Sequence, residues 1–226
     1  MAIFGEISEP TSRAVLEYWD KLEKSPKVPK LQWQLKPFQI PKDVGKFFIF
    51  EGKRLWAGVK ARKAIVEVNF VKEANLYLYK KPNTHNFVAI VKDCNLPMSN
   101  AVVRLLKDLI TRAKMVVTVQ EKPMAEYQTK HIITSSQILR KITTTNKSNL
   151  MNEQVSKLEQ PNIITGVSAG VFTLREHLGL SATSMVIYIQ AQENQVNDIE
   201  ILMQNLGMTG VSKPTPNVIT NSNLYI

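Results

Sequence analysis

Three short apolar runs limit what this chain can fold into: Phe47-Phe48-Ile49-Phe50, Met115-Val116-Val117-Thr118-Val119 and Met185-Val186-Ile187-Tyr188-Ile189. Each is far too short to cross a membrane. None shows the strict apolar–polar alternation of a strand with one wet face, so each reads as a strand covered on both sides. Covering both faces of a sheet takes helices, and helical patterns do lie between the runs. Val102, Leu105, Leu106, Leu109 and Ala113 keep helical spacing beyond Ser99, the expected N-cap. Ser168–Leu178 reads as a helix ending at Gly179, a suitable left-handed residue. Ile199, Leu202, Met203 and Leu206 line one face of a last helix that stops at Gly207. The expected fold is therefore α/β: one layered domain over residues 1–207, with a central, mostly buried sheet flanked by helices.

Other segments fill in the order. Val15, Leu16, Trp19 and Leu22 share a face of an amphipathic helix over roughly 12–24. A Lys/Pro-rich connector runs through Pro26 and Pro29, and Leu31, Trp33 and Leu35 then alternate like a half-buried strand. Ile65–Phe70, Leu76–Tyr79 and Phe87–Val91 are further strands, and the polar Thr134–Lys157 stretch reads as a surface loop. Residues 208–226 have neither period and carry Pro214 and Pro216. They read as a flexible tail.

The net charge of +10 is unevenly placed. Residues 1–114 hold 21 Lys+Arg against 11 Asp+Glu, and residues 115–226 hold 8 of each. A basic half suits nucleic acid or an acidic protein surface, but is more simply the mark of a solvated lysine-rich face. The lysines are dispersed, and no RNA-recognition aromatic motif, zinc-finger spacing or phosphate loop accompanies them. Nucleic-acid binding stands as the alternative function, with affinity falling steeply in salt as its signature. The opening residues show no secretory pattern, and the single Cys94 forms no internal disulfide, so a cytoplasmic protein is expected.

Catalytic patterns fail on inspection. Gly166-Val167-Ser168-Ala169-Gly170 matches the nucleophile elbow of hydrolases. The only later histidine, His177, lies nine residues on in the same helix, in the wrong chain order for a triad. The plainer account is that Ser168 caps the helix while the glycines permit close packing. His85, His131 and His177 are scattered, Asp93 beside Cys94 disfavours a thiolate, and no dinucleotide fingerprint occurs. No catalytic residue, cofactor or metal is expected.

The tail ends in Leu224-Tyr225-Ile226. A hydrophobe, a tyrosine and a free carboxylate make a compact docking device. Three stretches resemble the proteasome assembly chaperone 1 family: Phe4-Gly5-Glu6, Leu158-Glu159-Gln160-Pro161-Asn162-Ile163 and Ser222-Asn223-Leu224-Tyr225-Ile226. The resemblance implies a non-catalytic α/β chaperone that pairs with proteasome assembly chaperone 2 and binds the proteasome α subunits. Leu224, Tyr225 and Ile226 would then enter a pocket between neighbouring α subunits.

Overall fold

The computed structural model describes residues 30–35, 39–60, 65–93, 95–130, 133, 135–146, 155–190 and 206, all but Lys30 within the unit that begins at Leu31. The elements run β1 (Val44–Glu51), α1 (Lys53–Lys60), β2 (Val66–Val71), β3 (Leu76–Lys80), β4 (Phe87–Val91), α2 (Leu96–Arg112), β5 (Ala113–Pro123), β6 (Gln137–Thr143), α3 (Gly166–His177) and β7 (Ala182–Ile189). Seven strands form one mixed sheet in the order β2-β3-β4-β1-β5-β7-β6. Its centre, β4-β1-β5-β7, is parallel. The β2-β3 hairpin and β6 join antiparallel on either side.

The three apolar runs lie in β1, β5 and β7, three of the four central strands, and successive side chains divide between two cores. Phe47, Ile49 and Val116 face α2 and α3, meeting Val102, Leu106, Val167 and Val171. Phe48, Phe50, Val117, Val119, Met185 and Ile187 face α1, meeting Leu55 and Val59. Leu206 is buried in this second core. The rest of the last expected helix, the 12–24 helix and the tail lie outside the described residues.

Three expectations need correction. Thr134–Lys157 is not all loop, because Gln137–Thr143 forms edge strand β6. Ile138 joins the Tyr127–Tyr188 cluster while its neighbour Leu139 packs on the α1 side, so the adjacent apolar pair serves both faces. Arg140 and Lys141 interrupt the alternation that marks a strand. The segment Leu31–Leu35 joins no strand. It is tied to β2 by Gln34 N–H donating to the Phe70 carbonyl and Leu35 N–H donating to Asn69 Oδ1. Ser99 lies inside α2, whose N-cap is Asn95 with a proline in the first turn. Helix α1 was not expected: it buries only Leu55 and Val59, four residues apart, a stripe too narrow to stand out in the sequence.

Burial sets the alkaline behaviour. Burial raises the phenols of Tyr79, with Glu67 adding to it, and of Tyr188 to about 12. Each stabilises the fold fully below the ordinary phenol value of about 10, and that contribution is lost as pH rises toward 12. Burial lowers Arg175 to about 10, which acts in the opposite sense over the same window. With two phenols against one guanidinium, stability falls between about pH 10 and 12. Tyr188→Phe flattens that fall in alkaline urea titrations. An unchanged slope would contradict the assignment.

Candidate functional site

In open α/β sheets the chemistry sits beyond the carboxyl ends of the parallel strands, where successive helices leave on opposite faces. Here α1 follows β1 on one face and α2 follows β4 on the other. The crevice beyond the ends of β1, β4 and β5, beside the start of α1, has a volume of about 470 Å³, with Glu51, Lys53, Lys92, Asp93, Glu121 and Lys122 among its lining. Helix N-termini in such crevices hold anions, because their first N–H groups lack intrahelical partners.

The N-termini of α1 and α3 are already served by carboxylates of this chain. Glu51, the last residue of β1, accepts from Val167 N–H at 3.2 Å, Ser168 N–H at 3.0 Å and Ser168 Oγ–H at 2.9 Å. Glu121 of β5 accepts from Arg54 N–H at 3.0 Å in the first turn of α1. Gln120 reaches Thr165, the N-cap residue of α3, with its amide donating to the Thr165 carbonyl at 3.0 Å. Lys53 pairs with Asp93 at 2.9 Å, and this partner holds its ammonium above the usual lysine range. The crevice is cross-linked by its own side chains.

This geometry explains the elbow-like motif. Gly166 has φ +64°, and a Cβ there would collide with the Glu51 carboxylate. A Cβ at Gly170 would lie 2.9 Å from Val103, so this glycine brings α3 close to α2. Close packing at the glycines is therefore as expected, but the cap is Glu51 and not Ser168. Ser168 is fully buried, and its hydroxyl is committed to Glu51. His177 lies at the other end of α3, about 13 Å along the axis. The serine-hydrolase reading has no geometry to support it. Glu51→Ala strands two helix N–H groups and the buried Ser168 hydroxyl, and is expected to lower stability by about 2–4 kcal/mol. Adding Ser168→Ala recovers part of this in urea titrations, since the hydroxyl then no longer lacks an acceptor. Strict additivity would contradict the cap.

The remaining candidates do not converge. His85 is exposed, its Nδ1 2.9 Å from the Asp43 carbonyl. Cys94, His131 and the docking residues Leu224, Tyr225 and Ile226 lie outside the described residues. Among the described residues, no group of three or more His, Cys, Asp or Glu is placed to hold a metal ion, and no helix is long and apolar enough to cross a membrane. In the basic half, Lys60 and Lys92 sit over the Trp56 ring at 4.7 and 4.3 Å.

The Leu158–Ile163 stretch is a brace. Leu158 N–H donates to the Lys141 carbonyl of β6. Asn162 exchanges two hydrogen bonds with the Gln128 backbone, at 2.9 and 2.8 Å. Glu159 accepts from Arg140 at 3.0 Å and from the Tyr127 hydroxyl. Burial pushes the Glu159 carboxyl up, but the Tyr127 and Arg140 donors outweigh it and hold it below the usual range.

The fold is one found in several solved structures. PbaA of Pyrococcus furiosus, an archaeal homologue of proteasome-assembly chaperone, is similar with a TM-score of 0.57 and 15% identity, over 81% of this chain and 84% of that one. A protein of unknown function from Thermoplasma acidophilum has a TM-score of 0.55 and 10% identity, over 76% and 79%. PbaB of Pyrococcus furiosus, an archaeal proteasome activator, has a TM-score of 0.52 and 10% identity, over 79% and 89%. At these identities the likeness is one of fold. No protein-family model matches the chain, and no curated protein does.

Proposed function

We propose that this chain is a non-catalytic assembly chaperone of the cytoplasm. As a heterodimer with proteasome assembly chaperone 2, it binds the proteasome α-ring and promotes assembly of the core particle. Leu224, Tyr225 and Ile226 dock between α subunits, and the Ile226 carboxylate pairs with a pocket lysine. The observation that carries the reading is a coincidence of two independent features: a fold similar to that of PbaA, and a hydrophobic-Tyr-X tripeptide at the end of the sequence. The self-capped crevice supports it, because Glu51 and Glu121 occupy the N-termini of α3 and α1, where an anionic ligand would otherwise bind.

The reading is tested by assembling α subunits in vitro and following ring formation on native gels. Chain and partner together are expected to raise the yield of complete rings, and to co-migrate with them. No co-migration, with the heterodimer intact, would remove the reading.

A further inference from the structure

Helices α2 and α3 lie side by side on one face of the sheet, and both run from the carboxyl ends of the strands toward their amino ends. The groove between them has a volume of about 700 Å³, within the range of pockets that enclose a small ligand. Its depth comes from the small residues of α3, Ala169 and Gly170, while Val103 and Leu174 make it apolar. Arg104 and Lys107 line it toward the end where both helices stop. No aspartate or glutamate lines the groove, and among the described residues no ion pair holds Arg104 or Lys107. An apolar trough with two such cations at one end suits an occupant that is itself apolar and ends in a single negative charge.

This chain carries such a segment. Residues 208–226 hold one charged side chain, Lys213, and finish in Leu224-Tyr225-Ile226, so their one negative group is the Ile226 carboxylate. The length fits as well. Leu206 is anchored in the core on the opposite face of the sheet. The roughly 18 residues from there to Leu224 span at most about 60 Å, against a radius of gyration of about 16 Å for a domain of this size. We infer that, before an α-ring is met, the groove holds this chain's own C-terminal residues. Leu224 and Tyr225 lie against Val103 and Leu174, and the Ile226 carboxylate lies beside Arg104 and Lys107. What the tail does once released rests on the docking role proposed above. The groove covers the apolar end of the tail and makes the α-ring pocket compete for it. Apparent affinity for the α-ring then falls in proportion to the fraction of chains whose tail is free.

The experiment compares hydrogen exchange in three chains: the full chain, the chain lacking Leu224–Ile226, and the full chain with Arg104→Glu/Lys107→Glu, both of whose sites are exposed. A tether holds its end at a local concentration of about a millimolar. Exchange over residues 96–107 and 166–177 is therefore expected to be about twofold to tenfold slower in the full chain than in the other two, whatever the chain concentration. A synthetic peptide of residues 217–226, added to the truncated chain, is expected to restore the protection, and its C-terminal amide to bind about threefold more weakly or worse. Together with the partner subunit, the charge-reversed chain is expected to capture α-ring precursors about twofold to tenfold better than the full chain, whereas the truncated chain captures less. Equal exchange in the full and truncated chains overturns the proposal, even where truncation weakens capture and tail docking stands. Equal binding of the acid and amide peptides overturns it too. Protection that rises with chain concentration assigns the groove to the tail of a second copy and also overturns it. Tail-dependent protection with tail-independent capture upholds the groove contact and removes the docking role instead.

Discussion

Replacing Arg175 by Met is expected to lower the unfolding free energy by about 3–5 kcal/mol. Arg175 is fully buried, and among the described residues no carboxylate pairs with it. Its guanidinium instead donates to four backbone carbonyls: Ile110 at 2.9 Å, Ala113 at 2.8 Å, Lys114 at 3.4 Å and Ser181 at 2.5 Å. These belong to the last turn of α2, the start of β5 and the turn into β7, so one side chain ties three connections together. The carbonyls closing α2 carry the negative end of its dipole, which favours a cation there. Met fills similar space and removes every donor, leaving carbonyls buried and unpaired at about 1–3 kcal/mol each where water does not reach them. Arg175→Lys is expected to recover less than half of the loss, because one ammonium cannot span the fork. Urea titration checks both variants through the midpoint at constant slope. A loss below about 1 kcal/mol for Met would show that the guanidinium is not what joins these elements.

Arg175 also shows why some of the fold was legible in the sequence and some was not. Phe47–Phe50, Met115–Val119 and Met185–Ile189 announced themselves because strands covered on both faces must be continuously apolar. Gly179 behaved as expected: it has φ +65°, and Gly179 N–H and Leu180 N–H close the end of α3 on the Glu176 and Arg175 carbonyls. Arg175 sits in the same helix and reads as an ordinary surface residue, since a long cation gives no sign of aiming at carbonyls far away in sequence. Glu51 is similar. It is separated by 117 residues from the Ser168 hydroxyl that it holds, and only the strand order brings the two together. Edge strand β6 was missed because its partners lie on one side and its charged residues break the period. The elbow-like motif was rightly doubted from the position of His177, yet its physical cause, a carboxylate from β1 pressed against Gly166, is a tertiary fact.

The larger functional effect is expected from removing Leu224–Ile226. Burying Leu224 and Tyr225 in a pocket would contribute about 1.5–3 kcal/mol each, and a charge-assisted bond to the carboxylate about 1.5–3 kcal/mol. Ordering the tail costs several kcal/mol of this. On the proposed function a single tail would bind weakly, and a heterodimer would gain through the high effective concentration of its second contact. The account therefore predicts that the truncation weakens α-ring binding by about tenfold to a hundredfold, while fold and partner binding persist.

The most direct test is a pull-down of purified α-ring precursors by the heterodimer, carrying either the full chain or the chain lacking Leu224–Ile226. The account predicts strong capture by the first and much weaker capture by the second. Equal capture would contradict tail docking and move the contact to the globular domain. No capture by either, with the partner bound, would contradict the chaperone reading itself.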